Sequence, residues 1–257
     1  MVEGRITRGT TGVNRLRRID RWIATFPVLR QTPDPLVVDL GYGASATTSL
    51  ELQSRLARVR PDVEVIGIEI DPERVARASQ DARPGVSFAL GGFEVPLRGD
   101  RRATVIRALN VLRQYDESEV GPAWDRMLAR LQPDGLLVEG TCNEVGRVCS
   151  WVNLDPTGPL SLTISLRLEE LDRPSIVAER LPKALIHRNV PGERVHEFLR
   201  ALDRHWQVNA PLSVYSPSQR WIATATGMRA DGWPVLGTKA RWRLGELTVA
   251  WESVAPA

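Results

Sequence analysis

The sequence predicts an α/β fold, a doubly wound and mostly parallel sheet covered by helices on both faces. Three observations carry this reading. Short apolar runs alternate with amphipathic segments, a glycine-rich turn follows the first run at once, and 257 residues suit one hydrophobic core, since such cores stop growing near about 250 to 300 residues. Hydrophobic residues at 42% and charged residues at 25% match the averages of globular proteins and exclude a disordered or fibrous class.

The first segment, NRLRRIDRWIATF, sets Leu16, Ile19, Ile23 and Phe26 at three- and four-residue spacing, which is one face of a helix. Thr32-Pro33-Asp34-Pro35 ends it in a turn, and LVVDL (36–40) reads as a short, continuously apolar, buried strand. Past the glycine turn, SLELQSRLARV puts Leu52, Leu56 and Val59 on one stripe, and Pro61-Asp62 stops it before the strand VEVIGIEI. Asp71-Pro72-Glu73 has the form of an N-cap with proline at the first helical position, opening the helix ERVARAS. VSFAL (86–90) is a third strand and TVIRALNVL (104–112) a fourth. SEVGPAWDRMLARL then forms a helix turning Val120, Trp124, Met127, Leu128 and Leu131 inward, and LQPDG leads into a fifth strand, GLLVEG. Right-handed crossovers connect such units.

Beyond residue 145 the pattern changes, because WVNLDPTGPLSLTISLRLEEL reads as a hairpin around Asp155 to Pro159. ERVHEFLRALDRHW follows as a helix with Val195, Phe198, Leu199, Leu202 and Trp206 on one stripe, and RWRLGELTVAWESV has strand character broken at Gly245. The expected organisation is one domain over residues 1–257: a helical cap (1–35), a central core (36–171) and a C-terminal cap (172–257).

No apolar run approaches the 18 or so residues of a membrane span, and MVEGRITRGTTG lacks the apolar region of a secretory signal, so a cytoplasmic location without membrane partners is expected. Cys142 and Cys149 are the only cysteines, too few for a disulfide framework or a four-thiolate zinc site, and no metal is expected. The net charge of +3 permits a nucleic-acid partner, but no RNA-binding motif supports one. Oligomeric state is not readable from the sequence.

The segment VVDLGYGAS (37–45) carries the strongest chemical signal: a buried strand ending in an acid, then Gly41 and Gly43 in the turn before a helix. Without a Cβ, these glycines let the backbone turn sharply and approach a ligand at the carboxyl end of the strand. The spacing Gly41-x-Gly43-x-x-Ala46 also fits a dinucleotide fingerprint. One strand later, Glu69 stands where a carboxylate accepts hydrogen bonds from both hydroxyls of a ribose, and Ile70 would pack on the adjoining base.

Asp39, two positions before the first glycine, distinguishes the two readings. With Glu69 and LQPDGLLVEG, it makes residues 36–143 resemble the class I, Rossmann-like S-adenosylmethionine-dependent methyltransferases. The resemblance implies a seven-stranded methyltransferase-type sheet and S-adenosyl-L-methionine as cofactor. Gly41, Tyr42 and Gly43 would surround its methionine part, Glu69 its ribose, and Ile70, Gly92 and Phe93 its adenine, with Asp39 also among the cofactor-binding residues. One departure stands out: where the family often has an acid for the adenine amino group, this chain reads LGGFEV, which leaves a backbone group of Phe93 or the side chain of Glu94. Asn110, in RALNVLRQY, would lie near the transferred methyl, with Arg107 and Tyr115 close in sequence; NVL is not the signature of enzymes that methylate exocyclic amines of bases.

Asn110, Tyr115 and His187 are the catalytic candidates, His187 as a base at a helix-to-loop boundary; His196 and His205 read as surface or cap residues. Cys142, in TCN, resembles the Thr-Cys-Ser of RNA cytosine-5 methyltransferases, but their second motif, Pro-Cys, is missing and a buried thiol is favoured. Five of the eight tryptophans lie from Trp206 onward and read as core packing. Arg15, Arg17, Arg18 and Arg21 either close over a cofactor or acidic substrate or form a solvated face. The implied activity is methyl transfer to a small-molecule O or N acceptor. An RNA methyltransferase and a catalytically silent nucleotide-binding module are the alternatives.

Overall fold

The computed structural model describes residues 2–257, in two compact units. The first takes in the chain up to Gly146 with Leu154–Gly158, and the second Arg147–Asn153 with Pro159–Ala257. Residues 147–171, which the sequence groups with the core, therefore lie mostly in the second unit.

In the first unit, helices α1 (Arg17–Ile23) and α2 (Pro27–Gln31) precede β1 (Leu36–Leu40). Then follow α3 (Thr47–Leu56), β2 (Glu64–Glu69), α4 (Pro72–Ser79), β3 (Val86–Leu90), β4 (Ala103–Leu109), α5 (Glu117–Leu128) and β5 (Leu131–Cys142). The strands run in the order β3-β2-β1-β4-β5, with parallel registers such as Val37 to Val65 and to Val105. Every residue of β1 and β4 is buried, which explains the unbroken apolar runs, since strands covered on both faces need no alternation. The winding direction reverses between β1 and β4, where ligands bind in doubly wound sheets.

The expected cap at Asp71 is present, its Oδ1 accepting from the backbone N–H groups of Glu73 and Arg74; a second cap, not read from the sequence, is the capping box of Asp116 with Glu119 at the start of α5. β5 begins earlier than its apolar run because LQPDG joins the strand, pairing Leu131 with Ala103 across an irregularity between Ala103 and Val105.

Strands β6 (Val148–Asp155) and β7 (Gly158–Leu166) belong mostly to the second unit, and the expected turn that joins them falls in the Leu154–Gly158 stretch of the first. Helices α6 (Lys183–Ile186), α7 (Arg194–Val208) and α8 (Pro217–Ala230) follow, then β8 (Val235–Leu236), α9 (Lys239–Trp242) and β9 (Glu246–Ala250). β9 is antiparallel to both β7 and β8. The tryptophans pack a core here: Trp206 and Trp221 meet edge to face at 5.9 Å, and Trp221 donates to the Glu246 carbonyl at 3.0 Å. Seven strands were expected; the described residues contain nine, because the C-terminal region adds β9, where the sequence shows strand character past Gly245, and the two-residue β8, too short to show a pattern.

Candidate cofactor site

β1 ends in a turn that only glycine accommodates comfortably. Gly41 and Gly43 adopt φ of +68° and +88°, the left-handed region closed to most L-residues. A Cβ on Gly41 would stand 2.5 Å from Val111 Cγ2, and one on Gly43 would stand 2.7 Å from the Gly9 carbonyl oxygen. The end of β2 supplies the acid. Glu69 is 2% exposed; its carboxylate accepts from the Gly43 N–H and the Ile70 N–H, each at 3.0 Å. Arg74 Nη1 lies 3.7 Å away.

Gly41, Glu69, Ile70, Gly92, Phe93 and Tyr115 line one crevice at this switch point. The sequence names all six, and the fold brings them together across four strand ends. Tyr115 stacks edge to face on Phe93 at 5.2 Å, and burial pushes its phenol above the usual range. Gly92 N–H donates to Glu94 Oε1 at 2.9 Å, so the substitute acid in LGGFEV is turned back toward the β3 end. These groups fit an adenosyl ligand: a strand-end carboxylate for hydroxyls, a backbone donor and a carboxylate for a base edge, and apolar side chains for its faces.

Other predicted residues point elsewhere. Asp39 lies beneath the turn, where its carboxylate receives Thr48 Oγ1 at 3.0 Å, Ser49 Oγ at 2.8 Å and Arg107 Nε at 3.0 Å. Arg107, fully buried, also pairs with Asp20 of α1. Burial alone would lower the Arg107 pKa, but the two carboxylates override it and hold the guanidinium above its ordinary value. Tyr42 packs inward on Phe88 at 5.2 Å, and burial, with the nearby Glu69 charge, raises its phenol pKa. Asn110 takes φ +63°. Its side chain accepts from Cys142 N–H at 3.0 Å and donates to Cys142 Sγ at 3.3 Å, clamping β4 to β5.

Cys142 is wholly buried. His187 is exposed at the end of α6, its Nε2 3.0 Å from Lys183 Nζ. His196 Nδ1 meets Asn189 Oδ1 at 3.2 Å and His205 Nε2 meets Asp231 at 2.8 Å. Arg15 is buried rather than solvated and bonds the carbonyls of Thr10, Asn143 and Cys142.

Sequence reasoning missed the segment of residues 3–10, which runs along the crevice. The Glu3 carbonyl accepts from Phe93 N–H at 3.0 Å, and the Gly9 carbonyl accepts from Ala44 N–H at 2.9 Å. Arg74 Nη2 donates to the Thr7 carbonyl at 2.8 Å. Its signal is Gly4, Gly9 and Gly12 spaced among arginines and threonines, a composition for backbone lying close on another surface rather than for helix or strand.

No family model matches the chain, and no curated protein matches it. Among solved structures it is similar to the magnesium protoporphyrin IX methyltransferase of Synechocystis PCC 6803 with bound SAH, at 18% identity and TM-score 0.38, over 49% of this chain and 53% of that one. It is also similar to the plantazolicin methyltransferase BpumL in complex with SAH (14%, TM-score 0.38, 50% and 48%) and to the CcbJ methyltransferase of Streptomyces caelestis (19%, TM-score 0.38, 57% and 69%). The first two matches thus span about half of each chain, and at these values they stand as likenesses alone. No helix among the described residues is long and apolar enough to cross a membrane. No group of three or more His, Cys, Asp or Glu among them could hold a metal ion.

Proposed function

We propose that the chain binds S-adenosyl-L-methionine in the crevice at the ends of β1 to β4 and transfers its methyl group to a small-molecule oxygen or nitrogen acceptor. The observation that carries this reading is Glu69, a buried carboxylate at the end of β2 beside two left-handed glycines, where it can exchange its backbone bonds for two ribose hydroxyls. The positive sulfur of the cofactor makes the methyl group a good electrophile, so the protein's work is chiefly orientation, and effective molarities of about 10⁵ M or more supply the rate. Gly41 and Gly43 leave room for the methionine part, Ile70 and Phe93 flank the base, and Tyr115 closes the far side. Asn110 fixes the β4 end through Cys142, so we assign it a positioning role. His187 stays a candidate base, to be tried by its own substitution.

Titration calorimetry with S-adenosylmethionine, S-adenosylhomocysteine and NAD tests the reading. Binding of the adenosyl compounds but not NAD is expected, and Glu69→Ala should weaken it by about 10- to 150-fold, the equivalent of about 1.5 to 3 kcal/mol for a lost charge-assisted hydrogen bond. Selective binding of NAD would overturn the proposal.

A further inference from the structure

Given the adenosyl crevice proposed above, we infer that the chain's own segment 3–10 is an intramolecular occupant of the adenine place and must leave it for an adenosyl ligand to enter. The geometry of Glu3 carries this. Adenine presents a ring nitrogen that accepts and, beside it, an amino group that donates. The Glu3 peptide groups present the same pair: its carbonyl accepts from Phe93 N–H at 3.0 Å, and its N–H donates to Glu94 Oε2 at 2.9 Å. Gly92 N–H holds the other Glu94 oxygen at 2.9 Å, so the carboxylate is aimed before anything binds it. Phe93 N–H and Glu94 are also the two groups left for the base edge by the sequence LGGFEV.

The faces agree with the edge. Gly4 sits among the apolar groups expected to flank the base, and a Cβ there would lie 3.0 Å from Tyr115 Oη, 3.3 Å from Ile70 Cδ1 and 3.7 Å from Phe93 Cε2. With the segment in place the crevice retains a cavity of about 20 Å³, room for about one water molecule. An adenosyl group and this backbone cannot share it.

The segment is also built to leave. Its anchors are polar: Arg5 N–H to Tyr115 Oη, the Arg5–Glu119 ion pair, Arg74 to the Thr7 carbonyl and Ala44 N–H to the Gly9 carbonyl. Water can replace each of these. Ile6, a large apolar side chain of the segment, is 61% exposed, so lifting the segment uncovers little apolar surface of its own. Segments with few buried apolar contacts open at low free energy. A ligand that binds only the open form loses apparent affinity in proportion to the closed fraction, about tenfold for a segment closed nine-tenths of the time.

Two variants of the full chain test this. Gly4→Val opposes the backbone, since φ at Gly4 is +134°, a region a β-branched residue does not adopt. Glu3→Pro removes the N–H given to Glu94 and leaves both crevice groups intact. Calorimetry with S-adenosylhomocysteine should give at least about tenfold tighter binding for both variants than for the unaltered chain. In amide exchange, Phe93 N–H should lose protection in the free variants and regain it in the complexes. Equal or weaker binding by folded variants, with the unaltered chain still binding, would overturn the inference and leave the cofactor site standing, because the segment would then complete the site. Absence of binding by all three proteins would overturn the cofactor reading and this inference with it. Should Gly4→Val fail to fold, Glu3→Pro decides between these outcomes alone.

Discussion

Gly41 stands under two constraints at once, a left-handed φ of +68° and a Val111 methyl 2.5 Å from where its Cβ would be. Gly41→Ala should therefore cost about 1 to 3 kcal/mol of stability, before any ligand is considered. Val111→Ala removes the collision but not the strained φ, so it should cost less in the Gly41→Ala background than alone. The coupling expected of residues in contact is about 0.5 to 3 kcal/mol, read from urea midpoints of the four proteins; strict additivity would remove Val111 from this account. The same residue scale shows why Asp39 and Glu69 were hard to separate by sequence. Both are acids at the carboxyl ends of apolar strands, and nothing local distinguishes them. Arg107, 68 positions away, claims Asp39 from below, while Glu69 accepts from backbone N–H groups of the glycine turn and of its own neighbour, with Arg74 3.7 Å away. Long-range charge pairing is invisible to strand patterning, whereas glycine-turn chemistry is local and was legible.

At the scale of elements, α1 is tied to the sheet by charge as well as by its apolar stripe. Asp20, wholly buried, pairs with Arg107 of β4 and Arg55 of α3. Burial raises its pKa, and the two arginines oppose that rise. Removing one partner of a buried ion pair leaves the other uncompensated, so Asp20→Ala should destabilise the fold by about 3 to 5 kcal/mol. Asp62→Ala, which removes the surface pair with Arg60 whose carboxylate is 62% exposed, should leave the melting temperature unchanged. Comparable losses at the two sites would contradict the network. The amphipathic pattern of NRLRRIDRWIATF exposed the helix but hid this role, since an aspartate between apolar positions reads as a solvated residue. In the same way the apolar run TVIRALNVL continues past the strand it contains. β4 stops at Leu109 because Asn110 turns left-handed and bonds Cys142, and hydrophobicity gives no sign of a turn made by an asparagine.

Across the whole molecule, the parallel half of the fold was legible because buried parallel strands announce themselves as continuous apolar runs between helices. The second unit was less so: β9 follows Gly245 where the sequence shows strand character, but β8 has two residues and α9 four, too little sequence for any period to develop. Global stability should nonetheless depend on one residue that the sequence displays plainly, Glu139 in GLLVEG. Its side chain is fully buried in β5, neither oxygen accepts a well-formed hydrogen bond, and burial pushes its pKa up to about 8, offset only in part by the Trp124 indole. In the unfolded chain the same carboxyl ionises near its ordinary value of 4.5. Between these values the folded protein holds a proton that the unfolded chain has released, so stability from this group falls as pH rises through the window and levels off above about pH 8. Glu139→Gln keeps the shape and removes the charge. Its stability relative to the unaltered protein should match near pH 4.5 and exceed it near pH 8.5 by an amount on the order of 3 to 5 kcal/mol. Chemical denaturation followed by ellipticity at both pH values checks this, and a difference between the two proteins that stays constant from pH 4.5 to 8.5 would mean that Glu139 finds a charge partner or water in the folded state.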